Sequence, residues 1–385
     1  MRIKDLIFSN FYKKPQAFGL DISDASIKIA QLKRKGDGFK LRSYNRVSVP
    51  AGIMKEGEIL KDKELVDLVK KAFNEVCGKK IKTHYAVCSL PEQHSFIKII
   101  QMPKMDFKDL QRAIKWESES NIPFSTDEVC LDWQIIKPVK DHLDHFDILI
   151  NAVPKTLINK YLEVLHSAGI EPVVFETESL ATIRSLIKEE YSLKPVLIMD
   201  LGFNRTSFVI FSGYSIRFTS SIAVSNYQMI SEISDRLRIE WDDAETLKFK
   251  VGLNKEKDNG KMFNILLPFL TKLTDQIKEC VSYHNQHVEH EHGCVGGISK
   301  IILCGGGANL EGLVDYLASW LNIPVVLGNP WINIIPFKNK DRDIKDVPDI
   351  YYGESLSYAT VLGSALRGTN FQNFQKYVSD KSSTN

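Results

Sequence analysis

Residues 301–321 read IILCGGGANLEGLVDYLASWL: an apolar strand (Ile301, Ile302, Leu303), three glycines, then a helical pattern carried by Leu310, Leu313, Val314, Leu317 and Leu321. Gly305, Gly306 and Gly307 have no Cβ, so the chain can turn sharply there and bring its backbone close to a flat ligand. The first N–H groups of a helix lack internal partners and carry partial positive charge, which suits a nucleotide at that spot. The pattern is neither GxGxxG nor a P-loop. Alone, such a corner is more often plain α/β architecture than a ligand site.

Two further stretches change its weight. Residues 17–32, AFGLDISDASIKIAQL, read as a strand ending in Asp21, a polar turn with Ser23, Asp24 and Ser26, and a second strand. Residues 196–211, VLIMDLGFNRTSFVIF, repeat the plan: an apolar strand ending in Asp200, a polar turn from Gly202 to Thr206, and another apolar strand. The recurrence reads as an internal duplication, and repeats of this size set an architecture. Two such hairpins in two similar halves would aim both turns into one cleft. Their carboxylates and backbone N–H groups could then hold Mg²⁺ and phosphates. One hairpin alone would be read as a surface turn; the pair together with the triple-glycine corner favours a nucleotide.

The 385 residues exceed one compact core, so two or more domains are expected. With 43% hydrophobic and 25% charged residues, the composition is that of an ordinary soluble protein. The formal charge of +2 and the dispersed basic residues argue against nucleic acid. Six cysteines without CxxC spacing suggest reduced thiols. No run is long enough to span a bilayer. In the N-terminal segment, Ile3, Leu6, Ile7 and Phe11 could form one face of a short basic helix, read here as an arm folded on its own domain. No nucleophile elbow, HExxH or kinase signature occurs. Cys280, His284, His287, His290, His292 and Cys294 crowd one stretch, but their spacing fits no closed zinc pattern, and histidines suit a helix C-terminus.

Between these landmarks the periodicity predicts helices over 65–76, 179–190, 226–238, 242–251, 263–283 and 356–366. Strands are predicted at 41–49, 84–90, 172–175 and 324–327. Residues 91–169 read as a βαββα-like insert, with Asp106 capping a helix whose Trp116 lies off the apolar face.

The stretches DISDASIKIAQL, DLGFNRTSFVIF and CGGGANLEGL resemble the phosphate-1, phosphate-2 and adenosine motifs of the actin-like ATPase superfamily. IIQMPKMDFKDLQRAIKWESESNIPFSTDEVCLDWQII, with AGIMKEGEILKDKELVDLVKKAF, AETLK, LGNPW and YATVLGSALRG, is similar to the PilM family of type IV pilus assembly proteins. The resemblance runs from about residue 18 to 368, and the cell-division protein FtsA is a better-known relative in architecture.

The resemblance implies an α/β, ribonuclease H-like bilobed actin fold with an inserted α+β subdomain. Residues 1–90, 170–190 and 353–370 would form the first lobe and 91–169 the insert. Residues 191–352 would form the second lobe, with 223–280 as its small subdomain, and 371–385 a flexible tail. ATP with Mg²⁺ would lie between the lobes. By motif position, Asp21, Ser23 and Ser26 meet phosphate on one side, and Asp200, Gly202 and Thr206 on the other. Gly305, Gly306 and Gly307 approach the adenosine, and Glu245 and Lys248 reach the ribose and base. Asp21 and Asp200 serve the metal through the nucleotide. Glu178 stands where hydrolysing relatives place an acid beside the attacking water. Three places depart from the superfamily pattern. Ser23 replaces a glycine, Gly202–Arg205 is a bulky turn, and Ile222–Asn226 replaces a glycine pair, with β-branched Val224 inside it.

The implied role is a cytoplasmic scaffold at the inner face of the inner membrane. It would hold the N-terminal tail of the membrane protein PilN where the insert meets the first lobe, serve the pilus assembly ATPases indirectly, and show slow or absent hydrolysis. Attachment to the membrane would come through the partner, and a homo-oligomer is compatible with this role. The rivals are an adaptor of a type II secretion-like machine, an FtsA-like filament protein, and a small-molecule kinase of the same superfamily.

Overall fold

The apolar runs around Asp21 and Asp200 become the central strands of two sheets. A computed structural model describes residues 16–138, 144–287, 296–335 and 350–369. Ile3, Leu6, Ile7, Phe11, His290, His292, Cys294 and the tail 371–385 lie outside the described residues.

The first half lays down β1 (Phe18–Ile22), β2 (Ser26–Lys35), β3 (Gly38–Ser48), α1 (Asp62–Asn74) and β4 (Tyr85–Leu90). The insert follows as β5 (Phe96–Pro103), α2 (Phe107–Asn121), β6 (Val129–Ile135) and β7 (His145–Pro154), leading into α3 (Lys155–Ser167). The chain returns through β8 (Glu171–Thr177) and α4 (Glu178–Leu186). The second half repeats the opening with β9 (Ser192–Leu201), β10 (Thr206–Gly213) and β11 (Ser215–Ile222). It continues with α5 (Asn226–Leu237), α6 (Trp241–Val251), α7 (Lys261–His287), β12 (Lys300–Cys304), α8 (Leu313–Leu321) and β13 (Val325–Leu327). The short α9 (Tyr352–Ser355) and α10 (Ala359–Thr369) close the described chain.

Both sheets have one topology. The first runs β8-β4-β1-β2-β3, extended past β3 by the two-residue strand Cys77–Gly78, and the second runs β13-β12-β9-β10-β11. In each, the opening strand pairs antiparallel with the second and parallel with the fourth. The duplication suspected from two hairpins therefore extends to whole sheets. Strand β11 had no counterpart in the sequence reading, because SIRFTSSI is too polar to announce itself.

The layers stack as helix, sheet, helix, sheet, helix. One face of β1 and β2 (Phe18, Leu20, Ile27, Ile29) packs on α1 and α3 through Leu65, Val69, Tyr161 and Leu165. The opposite face meets α10 through Val361, Leu362 and Ala365. In the second sheet, Leu197, Met199 and Leu201 face α5, α7 and α8, while Val196 and Ile198 face Ile183 and Leu186 of α4. Burial on both faces explains why VLIMDL and IILC are continuous apolar runs. The middle layer needs small residues. A Cβ on Gly363 would stand 1.7 Å from the Ala181 carbonyl, and one on Gly19 2.3 Å from the Val361 carbonyl.

The insert is a three-stranded antiparallel sheet, β5-β7-β6, with α2 on it through Leu110 and Ile114. Asp106 stands at the N-cap of α2 in extended conformation, yet its side chain makes no cap hydrogen bond. Trp116 on α2 is 73% exposed. Helix α3, read with the insert, shares the core of α1 and the first sheet.

The triple-glycine corner differs from expectation in one respect. No α-helix starts at the glycines. Gly306–Asn309 make a 3-10 turn, Gly312 takes a left-handed φ of 80°, and α8 begins only at Leu313. Backbone of the turn itself, rather than a helix N-terminus, borders the cleft.

Candidate functional site

The turns after β1 and β9 and the corner after β12 converge on one cleft. Asp21, Ser23, Ser26, Glu178, Asp200, Gly202, Gly305 and Gly306 all line it. Four other expected residues stand behind its walls. Thr206 is buried and its hydroxyl donates to the Val224 carbonyl at 2.7 Å. Gly307 is a packing glycine, since a Cβ there would meet Leu201 at 2.5 Å. Lys248 is buried and donates to the Asn226 side chain, which itself lines the cleft. Burial pulls its pKa down to about 8. Glu245, half-buried on the same helix, acts electrostatically on Lys248.

The two acids are in unlike states. Asp21 is buried, and both of its oxygens are engaged: the Lys28 ammonium donates to one at 3.1 Å and the Ser89 hydroxyl to the other at 2.8 Å. Asp200 has the Cys304 thiol beside it as a donor. The cause is one cross-strand position. Asp21 sits opposite Lys28 in the β1–β2 register, and Asp200 sits opposite Ser207 in the β9–β10 register. Burial pushes Asp200 up to about 6, with Lys28 opposing and the Asp21 charge adding. Glu178 is held well above the usual carboxylate range by burial first, then by the charges of Asp21, Asp200 and Glu92. Glu92 is raised by burial too, and it accepts from the Ser179 N–H at 3.1 Å at the start of α4.

Lys28, Ser89 and Arg205 were missed by the sequence reading. Lys28 had a signal: seven positions after Asp21 across a tight hairpin is the directly opposed position.

The three departures put no non-glycine residue in left-handed backbone. Ser23 is absent from the described residues with left-handed φ, so it needs no glycine, and its hydroxyl donates to the Ser26 carbonyl at 2.9 Å. Val224 turns into the second-half core, leaving Ala223 and Asn226 at the cleft. Gly202 lets the turn close on the Arg205 carbonyl, which a Cβ would meet at 2.8 Å. Gly305, at φ 83°, passes so near Asp200 that a Cβ would stand 2.3 Å from its carboxylate. Gly306 is the opposite case. A Cβ there would meet nothing nearer than 4.0 Å, so this backbone faces open cleft.

In the His-rich stretch, the His284 ring bonds the Gly296 carbonyl at 3.2 Å. No group of metal-ligating side chains is found among the described residues, and none of their helices is long and apolar enough to cross a membrane.

Two sheets of one topology, meeting over twin hairpin turns and a glycine corner, define the actin-like ATPase fold. MreB5 of Spiroplasma citri, solved with ADP, superposes with a TM-score of 0.55 at 14% identity over 94% of this chain and all of that one. A family model described as type IV pilus assembly protein PilM matches residues 19–369, and the chain belongs to that family. A solved PilM–PilN type IV pilus biogenesis complex is similar with a TM-score of 0.75 and 24% identity, over 92% of this chain and 98% of that one. Cell division protein FtsA of Neisseria meningitidis serogroup B is 22% identical over 248 residues, 58% of this chain and 60% of FtsA. The alignment thus spans under two-thirds of that relative.

Proposed function

We propose that the protein is a nucleotide-binding scaffold of type IV pilus assembly that holds the cytoplasmic N-terminal tail of PilN. The observation that carries the nucleotide half is Gly306. It is the one corner glycine whose missing side chain leaves open space, and it shares a cleft with Asp200, Lys28 and the two hairpin turns. That donor set suits a magnesium nucleotide. Asp200 would serve the metal, Lys28 and the turn N–H groups the phosphates, and Gly305–Gly306 the adenosine side. Asp21, already bonded to Lys28 and Ser89, would position the lysine and act on the metal from behind it. Bound nucleotide would supply charge and bridging contacts between the lobes. Glu178 is the candidate catalytic acid. Burial first, then the neighbouring acids, raise its pKa and favour its protonated form.

The partner half draws on family membership and on likeness to the PilM–PilN complex. An extended apolar tail in a groove gains main-chain hydrogen bonds and side-chain pockets. The place for it is where the insert meets the first lobe. Anchoring through PilN would put the protein at the inner face of the inner membrane and link it indirectly to the assembly ATPases. A pull-down with peptides from the PilN N-terminus, with and without Mg-ATP, tests both halves. Capture that strengthens or weakens with ATP is the expected result. No capture in either condition would remove the partner assignment.

A further inference from the structure

The turn between β9 and β10 reaches across the cleft into the first half. The Asn204 side-chain amide donates to Asp24 at 2.6 Å. The Arg205 guanidinium donates to the side-chain carbonyl of Gln93. Asp24 lies in the β1–β2 turn and is fixed from below by the N–H groups of Glu56 and Gly57, at 2.7 and 2.8 Å. Gln93 lies in the 3-10 turn Glu92–His94, from which β5 and the insert start. The reaching turn is itself stiff. Gly202 N–H donates to the Arg205 carbonyl, and the N–H groups of Asn226 and Tyr227 donate to the Gly202 and Phe203 carbonyls.

Arg205 is under-used in this arrangement. Its Nε is buried with no hydrogen-bond partner among the described residues. It lines the same cleft as Lys28, Asp200 and Gly306. A guanidinium bonded to a neutral amide makes a weaker bond than one bonded to an anion, which is roughly twice as strong and frequently bidentate. Bidentate capture would also use the idle Nε.

We propose that Gly202–Arg205 is a cross-cleft latch. Asn204 and Arg205 clasp Asp24 and Gln93, and Arg205 trades Gln93 for the terminal phosphate of an entering nucleoside triphosphate. Releasing Gln93 loosens the turn at Pro91–Ser95, so the insert senses the third phosphate. The trade rests on the nucleotide reading of the cleft; the clasp does not.

The test uses the full chain as wild type, as Arg205→Ala for titration, and as the Asn204→Ala/Arg205→Ala double variant and Gln93→Ala for exchange, each checked by melting. Without nucleotide, amide exchange at residues 22–26 and 91–103 is expected to quicken about fivefold or more in both variants, as local opening demands. Unchanged exchange in both would overturn the clasp. In titrations, Arg205→Ala is expected to lose about tenfold in Mg-ATP affinity and under about threefold in Mg-ADP, reflecting one charge-assisted pair. Equal losses would overturn the trade. A wild type that binds neither nucleotide while exchange still responds would overturn the trade and the nucleotide reading, and support the clasp.

Discussion

Asp21 and Asp200 occupy equivalent places in two copies of one hairpin, and the residue opposite each decides its chemistry. Lysine faces the first and serine the second. Burial raises Asp200 to about 6, with Lys28 opposing. A proton and a divalent cation compete for it, so Mg-ATP affinity is expected to rise about fivefold from pH 5 to 6 and to level above 7. Asp200→Asn should flatten that profile, as read by calorimetry. The raised value also has a stability sign. The folded form keeps a proton that the unfolded chain releases near the ordinary carboxylate value, so this contribution is full below about pH 4 and lost as pH climbs through about 6. Urea midpoints of wild type minus Asp200→Asn, across that window, check it. Gly306→Val should cut ATP affinity at least about tenfold with an unchanged melting point, because its side chain would fill cleft rather than core. Unchanged affinity would remove the adenosine assignment. At this scale the acids and the glycines were legible as residue types at turn positions. Which acid is neutralised was not, because that needs strand register. Nor was the split of the glycines into one facing ligand space and two serving packing or close approach.

Elements were legible where burial is one-sided or complete. Helix α1 shows its Leu65, Val69 and Ala72 stripe openly, and β9 and β12 show unbroken apolar runs. Strand β11 stayed hidden because it is polar along much of its length. The start of α8 was misplaced because Leu310 keeps the helical spacing although it closes the 3-10 turn, and Gly312 is the residue that opens α8. Where α10 crosses α4 and β1, glycines let the backbones approach closely. Gly363→Val drives a branched side chain into the Ala181 carbonyl and should destabilise by about 3 kcal/mol or more, seen in urea unfolding. Glu176 gathers the same layer from the side. Its buried carboxylate takes Arg184 at 2.9 Å and Arg367 at 2.7 Å, joining β8, α4 and α10. Glu176→Ala removes the buried acid that Arg184 and Arg367 share and should cost about 3 kcal/mol by the same measurement.

Across the whole molecule, α4 and α10 form a shared middle layer, one face against each sheet. The first sheet is thus completed by chain that comes after the second. A chain cut after residue 350 lacks α10 and should lose exchange protection across β1, β2 and β4, while α7 and α8 keep more of theirs. The return was expected only from the family resemblance, and YATVLGSALRG carries the small residues that a crowded layer requires. Sequence could not foretell that the copies would match strand for strand. That copying has a consequence for whatever occupies the crevice. A strictly twofold container would accept an elongated guest in either sense. Here one wall offers an ammonium and the other a carboxylate with no lysine opposite it, so the enclosure is polar end to end, and a guest with unlike ends can lie in it only one way round.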